Sequence, residues 1–263
     1  MAMSILDEIL AHKQREIETA KKRLSFAQLE KRLRGHAPQR SFRGAIHKPG
    51  KLALIAELKR KSPSRGMLRE RFDPVSLAQQ LQDAGADALS VLTDEHYFGG
   101  HLEFMRDVQA FTDIPVLRKD FLVDPYQVYE AAHYQADAVL LIAQALDDTQ
   151  LSDCLDAAHA IGLDALVEVH GEEDLARALA AGAKLIGVNH RDLRTFTIDQ
   201  ELTTRLIPKI PQGKTIVAES GVQSRQDVER LRQLGAHAIL VGEALMTAPD
   251  SAMKLRELLS DAR

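Results

Sequence analysis

One cysteine among 263 residues excludes an internal disulfide. Cys154 falls inside the helical pattern TQLSDCLDAAHA, where it is expected to pack rather than react. A reducing, cytoplasmic setting is the corresponding expectation. No apolar run approaches the roughly 18 residues needed to span a bilayer. The N-terminal stretch MAMSILDEILAHKQREIE is amphipathic and acidic too early for a secretory signal, so a soluble, untargeted chain is expected. An excess of one charge is lacking too, with 34 basic against 38 acidic residues and a net charge of -4. This balance argues against nucleic-acid and membrane partners, while leaving room for a local basic cluster at an anion site. The ten histidines include no HExxH and no paired ligand spacing, and His96 with His101 is a weak pair. No P-loop, Ser-centred elbow or dinucleotide fingerprint occurs. The expectation is therefore a chain that needs no metal and no cofactor and works as a monomer with at most weak self-association.

What is present repeats. The segments AGADALSVL (84–92), QADAVLLI (135–142), IGLDALVEV (161–169), AGAKLIGVN (181–189) and LGAHAILVG (234–242) each place a small or polar stop before an apolar run. Such runs suit parallel strands buried on both faces. With LALIAE (52–57), IPVLRK (114–119) and KTIVAE (214–219) they make eight strands. Helical patterns such as DPVSLAQQLQDAG (73–85), DPYQVYEAAHYQ (124–135), GEEDLARALAAG (171–182) and SRQDVERLRQLG (224–235) lie between them. The alternation predicts a (β/α)8 TIM barrel over 1–263. A doubly wound sheet should show a Gly-rich first turn that is missing, and a solenoid should keep a fixed period. Residues 1–48 read as a helical extension. Ser4 with Asp7 and Ser25 with Gln28 have capping-box spacing, Ile5, Leu6, Ile9 and Leu10 form an apolar face, and a loop is expected from Leu33 to the first strand.

A barrel carries its chemistry at the carboxyl ends of its strands, and here those ends are rich in ionisable groups. They offer Glu57 and Lys59, then Lys119, Glu168, Asn189 with Arg191, Glu219 with Ser220, and finally Gly242. Charges inside apolar strands are costly unless paired or functional, so their convergence predicts a polar pocket. Alternation puts Glu57 and Lys59 on one face. Ser220-Gly221 and Gly242-Glu243 occupy positions where barrels hold phosphate on backbone amides, with Glu243 contributing its amide rather than its side chain. Ser62 and Lys59 are placed to reach the same phosphate. Phe98 and Phe121 are candidates to stack on a flat ring. His170 and His190 are expected to point away from Glu168 and Asn189.

The run IAELKRKSPSRG, followed in order by LRKDFLVDPYQVYEA, LVEVH, GVNHRDL, AESGV and LVGEALM, resembles the indole-3-glycerol phosphate synthase family of tryptophan biosynthesis. That resemblance covers the whole chain, extension included. It implies conversion of 1-(o-carboxyphenylamino)-1-deoxyribulose 5-phosphate to indole-3-glycerol phosphate with loss of CO2 and water. It also implies that Lys119 is a general acid and Glu168 an acid/base group, with Glu57, Lys59 and Asn189 as active-site partners. Arg191, Ser62, Ser220, Gly221, Gly242 and Glu243 would bind substrate, and Glu219 joins them as a strand-end contact. A ribose-phosphate isomerase or lyase, and a noncatalytic phospholigand-binding barrel, are the alternatives.

Overall fold

The computed structural model describes residues 4–35, 40–195 and 197–260. Both capping boxes form. Ser4 Oγ accepts from the Asp7 amide at 3.2 Å while Asp7 accepts from the Ser4 amide at 3.1 Å, which starts helix α1 (Ile5–Arg23). Ser25 and Gln28 start α2 (Phe26–Arg32) in the same way. Leu6, Ile9 and Ile17 of α1 are buried, while Ile5 and Leu10 are half-buried.

The expected loop after Leu33 contains a third helix, α3 (Phe42–Ile46), capped by Ser41 Oγ on the Gly44 amide at 3.0 Å. Two glycines and a proline around it hide its short apolar pattern, and Pro38 lies outside the described residues. Helix α3 closes the amino-terminal end of the barrel. The Arg43 amide donates to Asp164 at 2.8 Å and the Arg40 amide to Asp137 at 3.0 Å, both carboxylates lying at strand starts. Phe42 and Ile46 have no exposed surface and join the cluster that fills the barrel interior.

The eight strands close into a parallel barrel in sequence order. They are β1 (Ala53–Leu58), β2 (Ala88–Leu92), β3 (Val116–Lys119), β4 (Ala138–Ile142), β5 (Asp164–Val169), β6 (Leu185–Asn189), β7 (Thr215–Glu219) and β8 (Ala238–Val241). Strand β1 runs one residue later than its apolar run, because Leu58 pairs in register with Val91. Side-chain alternation splits the core into two layers. Leu54, Ala56 and Leu58 face the surrounding helices, and Ala53 and Ile55 face the interior. Cys154 sits in the outer layer, where burial pushes its thiol up to about 12 and leaves it unreactive.

Inside a barrel, side chains from alternate strands share a level. Ile55, Leu117, Leu166 and Val217 from β1, β3, β5 and β7 all belong to the interior cluster. Two residues further along the same strands stand Glu57, Lys119, Glu168 and Glu219. The apolar core thus ends in a layer of three carboxylates and one amine. Beyond β1 the charged stretch folds into a small hairpin rather than an open loop, Lys61–Ser62 pairing with Gly66–Met67. Lys61 Nζ anchors it to the carbonyl of His96 at 2.7 Å, which turns Ser62, Pro63 and Ser64 toward the barrel mouth.

Candidate active site

A pocket opens over that polar layer, and all the strand-end candidates line it. Lys119 is at its centre, with Nζ 2.7 Å from Glu168 Oε2 and 3.1 Å from Glu219 Oε2. Glu57 Oε1 pairs with Lys59 Nζ at 2.6 Å, as expected for two residues on one strand face. Asn189 Nδ2 donates to Glu168 Oε1 at 3.0 Å, while its Oδ1 accepts from the Arg191 amide at 3.0 Å. Asn189 therefore holds both the carboxylate and the start of the next loop. Phe98 and Phe121 form one wall, their ring centroids 6.0 Å apart.

Glu168 and Glu219 titrate in opposite directions. Burial opposes charge on Glu168, but Lys119 and His170 outweigh it and hold this carboxyl well below the ordinary range. Burial pushes Glu219 up to about 8, with Lys119 offsetting part of the rise and Glu168 adding to it. Burial also works against the Lys119 ammonium, yet Glu168, Glu219 and Glu57 outweigh it and keep the amine protonated at neutral pH. The pocket thus presents, within one layer, an ammonium beside one carboxyl held below its ordinary range and another pushed above it. Groups of opposed protonation at close range are the usual equipment of acid–base catalysis.

This split carries a pH prediction. A carboxyl whose pKa is raised on folding loses stability as pH climbs, because the unfolded chain ionises first. For Glu219 the window runs from the ordinary carboxylate range up to about 8. Glu219→Gln cannot ionise. Melting temperatures at pH 5 and pH 8 should fall less between the two values than in the parent, and any inflection of kcat near the parent's pKa should disappear. An unchanged pH dependence on both counts would place the titration elsewhere.

The turn after β7 also lines the pocket. Ser220 and Gly221 have φ of 63° and 79°, and successive left-handed residues turn backbone amides toward one side, a concavity suited to anions. Such a φ is unusual for serine. His190 supports it, its Nδ1 donating to the Ser220 carbonyl at 3.0 Å while Nε2 meets the hydroxyl of Thr203. His190 points away from the pocket, as alternation predicts.

Two expectations change. His170 does not point away from Glu168; β5 ends at Val169, the chain turns, and Nε2 comes to 3.2 Å from Glu168 Oε1. Burial disfavours its charge, but Glu168 outweighs this and raises its pKa. Glu243 engages its side chain as well as offering an amide. Its carboxylate holds Arg65 at 2.8 Å and Arg191 at 3.1 Å, tying the hairpin after β1 to the loop after β6.

Gly187 escaped sequence reasoning, as did the room that Gly242, already a candidate, leaves for a neighbouring acid. A Cβ at Gly187 would overlap Glu219 Oε1, and one at Gly242 would overlap Glu57 Oε1. The layer of large acids fits only because neighbouring strands carry no side chain there. A glycine inside the apolar run LIGVN is the available signal, since glycine weakens a strand unless something approaches closely. Arg65 showed no distinguishing pattern.

Fold and site together define a (β/α)8-barrel enzyme with a layer of ionisable side chains at the mouth of the barrel. The chain belongs to the indole-3-glycerol phosphate synthase family, whose model matches residues 6–258. It is 48% identical over 263 residues to the indole-3-glycerol phosphate synthase of Roseiflexus sp. (strain RS-1), covering 97% of this chain and 98% of the relative. It is 45% identical to that of Campylobacter hominis, with the same coverage of each chain. Among solved structures, 3-hexulose-6-phosphate synthase superposes with a TM-score of 0.64 at 21% identity, covering 80% of this chain and 99% of that one. KGPDC from Streptococcus mutans reaches 0.63 at 14% identity, covering 81% and 97%. At such identities the likeness is one of fold.

Proposed function

We propose that this lyase of tryptophan biosynthesis closes the indole ring of 1-(o-carboxyphenylamino)-1-deoxyribulose 5-phosphate through the polar layer at the barrel mouth. The observation that carries the reading is Lys119, a half-buried ammonium held between Glu168 and Glu219 with an aromatic wall on one side and an anion corner on the other. Phosphate binds at Ser220, Gly221, Gly242 and Glu243 on backbone amides, with Lys59 and Ser62 above them and Arg191 alongside. The anthranilate ring rests on Phe98 and Phe121, which puts the ketone over Lys119.

As the ring carbon attacks, a C–C bond forms and the ketone oxygen takes a proton from Lys119, so no free alkoxide develops. The C–CO2 bond then breaks, and its electron pair restores the ring's aromaticity as CO2 departs. In the dehydration the C–OH bond breaks and the hydroxyl leaves as water, with Lys59, steadied by Glu57, supplying its proton. Glu168, held ionised, takes the substrate proton that completes the double bond, and Asn189 keeps it oriented. Glu219, neutral below its raised pKa, donates a hydrogen bond to a substrate hydroxyl.

We infer further that residues 1–263 act as one barrel domain with 1–48 as its extension, and that the enzyme works as a cytoplasmic monomer. Among the described residues no helix is long and apolar enough to cross a membrane. The test of function is a fluorimetric assay of indole-3-glycerol phosphate formation. Isomerase turnover, or ligand-dependent thermal shifts without product, would reject the assignment. After exhaustive chelation the rate is expected to stay at its starting value, because every proton transfer above is given to a side chain. A loss restored by a divalent ion would contradict this.

A further inference from the structure

Lys13 is the charged residue of α1 that turns inward. It is 2% exposed, while the other charged residues of the helix are exposed or half-buried. Its Nζ lies 2.8 Å from Asp94 Oδ2, 2.9 Å from Asp120 Oδ1 and 2.6 Å from Glu16 Oε2. Burying a lysine costs solvation, and α1 already has its cap and apolar face without it. The two deep carboxylates belong to the parts of the barrel that carry the aromatic wall. Asp94 caps the short helix Glu95–Phe98, its Oδ1 accepting from the amides of Tyr97 at 2.6 Å and Phe98 at 3.2 Å. Asp120 stands between Lys119 and Phe121. Its Oδ1 accepts from the Phe121 amide at 2.8 Å, and its Oδ2 from Thr93 Oγ1 at 2.6 Å.

We propose that Lys13 is a positioning residue of the active site: its ammonium clamps the loop after β2 to the end of β3 and so fixes Phe98 against Phe121 at the spacing that receives the substrate's anthranilate ring. With one cation between them, the carboxylates of Asp94 and Asp120 are drawn together. Without it they repel, and the two halves of the wall part. Arg118 does not substitute, because its guanidinium reaches Asp120 Oδ2 and Glu130 from the far side, at 3.2 and 3.0 Å. Burial works against the charge of Lys13, but Asp120 and Asp94 outweigh it and raise its pKa, so the clamp stays closed across the neutral range. The extension thereby enters the ring half of the site and leaves the phosphate half untouched.

The proposal rests on the functional reading above, so turnover by the parent chain is measured first in the same assay; failure of that reading shows in the parent, failure of the clamp only in variants. For Lys13→Met, kcat and KM are measured together with the affinities for the reduced substrate analogue and for inorganic phosphate, at a temperature where circular dichroism matches the parent. Misplacing a contact wall by about 1 Å can cost up to roughly a hundredfold. The expected result is affinity for the reduced analogue weakened by at least about tenfold, with phosphate affinity within about twofold of the parent. If Lys13→Met does not fold, Lys13→Gln, which removes the cation but keeps a hydrogen-bond donor on the buried face of α1, leaves both carboxylates charged and unbridged and is expected to give the same split. Unchanged analogue binding and turnover at a lowered melting temperature would make Lys13 purely structural and overturn the proposal. An equal loss of analogue and phosphate affinity would overturn it as well.

Discussion

Lys119→Met is expected to lower kcat by at least about a hundredfold while the chain stays folded and binds the reduced substrate analogue within roughly tenfold of the parent. Methionine keeps the unbranched stem and removes the proton. General acid catalysis typically contributes about 10² to 10⁴ in rate, or roughly 3 to 5 kcal/mol of barrier. The loss of a mere binding charge would appear mainly in KM. The variant also leaves Glu168 and Glu219 facing each other without the ammonium that now lies 2.7 and 3.1 Å from them. Glu168, held down chiefly by that ammonium against its burial, should rise, so the surviving activity should show a shifted pH profile. Single-turnover kinetics are the measurement, since slow product release can hide a loss in the chemical step. A parent-like single-turnover rate would remove Lys119 from catalysis and move the acid role to Lys59.

Phe42→Ala should give the largest loss of stability among single changes in the extension. Phe42 has no exposed surface and packs in the interior cluster with Ile46, Ala53, Leu185 and Ala238. Truncating a buried phenylalanine typically costs about 3 to 5 kcal/mol, part transfer and part cavity, against a total stability on the order of 5 to 15 kcal/mol. For a chain of this size each kcal/mol shifts the melting temperature by roughly 2 to 4 degrees, so a fall of about ten degrees is expected. Phe42 lies at the amino-terminal end of the barrel, opposite the pocket. The folded fraction should therefore keep parent kcat and KM. A melting temperature within two or three degrees of the parent would mean that α3 does not plug the barrel.

The extension shows where sequence reasoning reached its limit. Ser4 with Asp7 and Ser25 with Gln28 predicted two helix starts correctly, because a capping box is written in four consecutive residues. Helix α3 was missed because its five residues, FRGAI, are too few to show a helical period, and glycine in the middle argues against one. Only the open end of the barrel, which needs an apolar plug, makes Phe42 and Ile46 worth burying. The charge on α1 gave the same difficulty. Lys13 looks like its solvated neighbours along the chain until Asp94 and Asp120, from distant segments, are brought beneath it.

The sequence by itself determined the alternation of strands and helices, the closed barrel they imply, and the ionisable groups at the strand ends. Each of these follows from short-range patterns: apolar runs, caps, and the period of two along a strand. Only the tertiary structure decided which groups meet. That Glu57, Lys119, Glu168 and Glu219 share one level depends on the stagger between strands, which hydrogen-bond register fixes and composition does not. Glu168 and Glu219 place the same side chain at the carboxyl ends of their strands, one residue before the end of β5 and at the end of β7. Glu168 is held below the ordinary carboxylate range and Glu219 pushed above it because Lys119 is closer to the first, which also has His170 beside it, at 2.7 and 3.2 Å. Those distances exist only once the barrel has closed, so a pattern of residues could nominate the acids and bases but could not tell them apart.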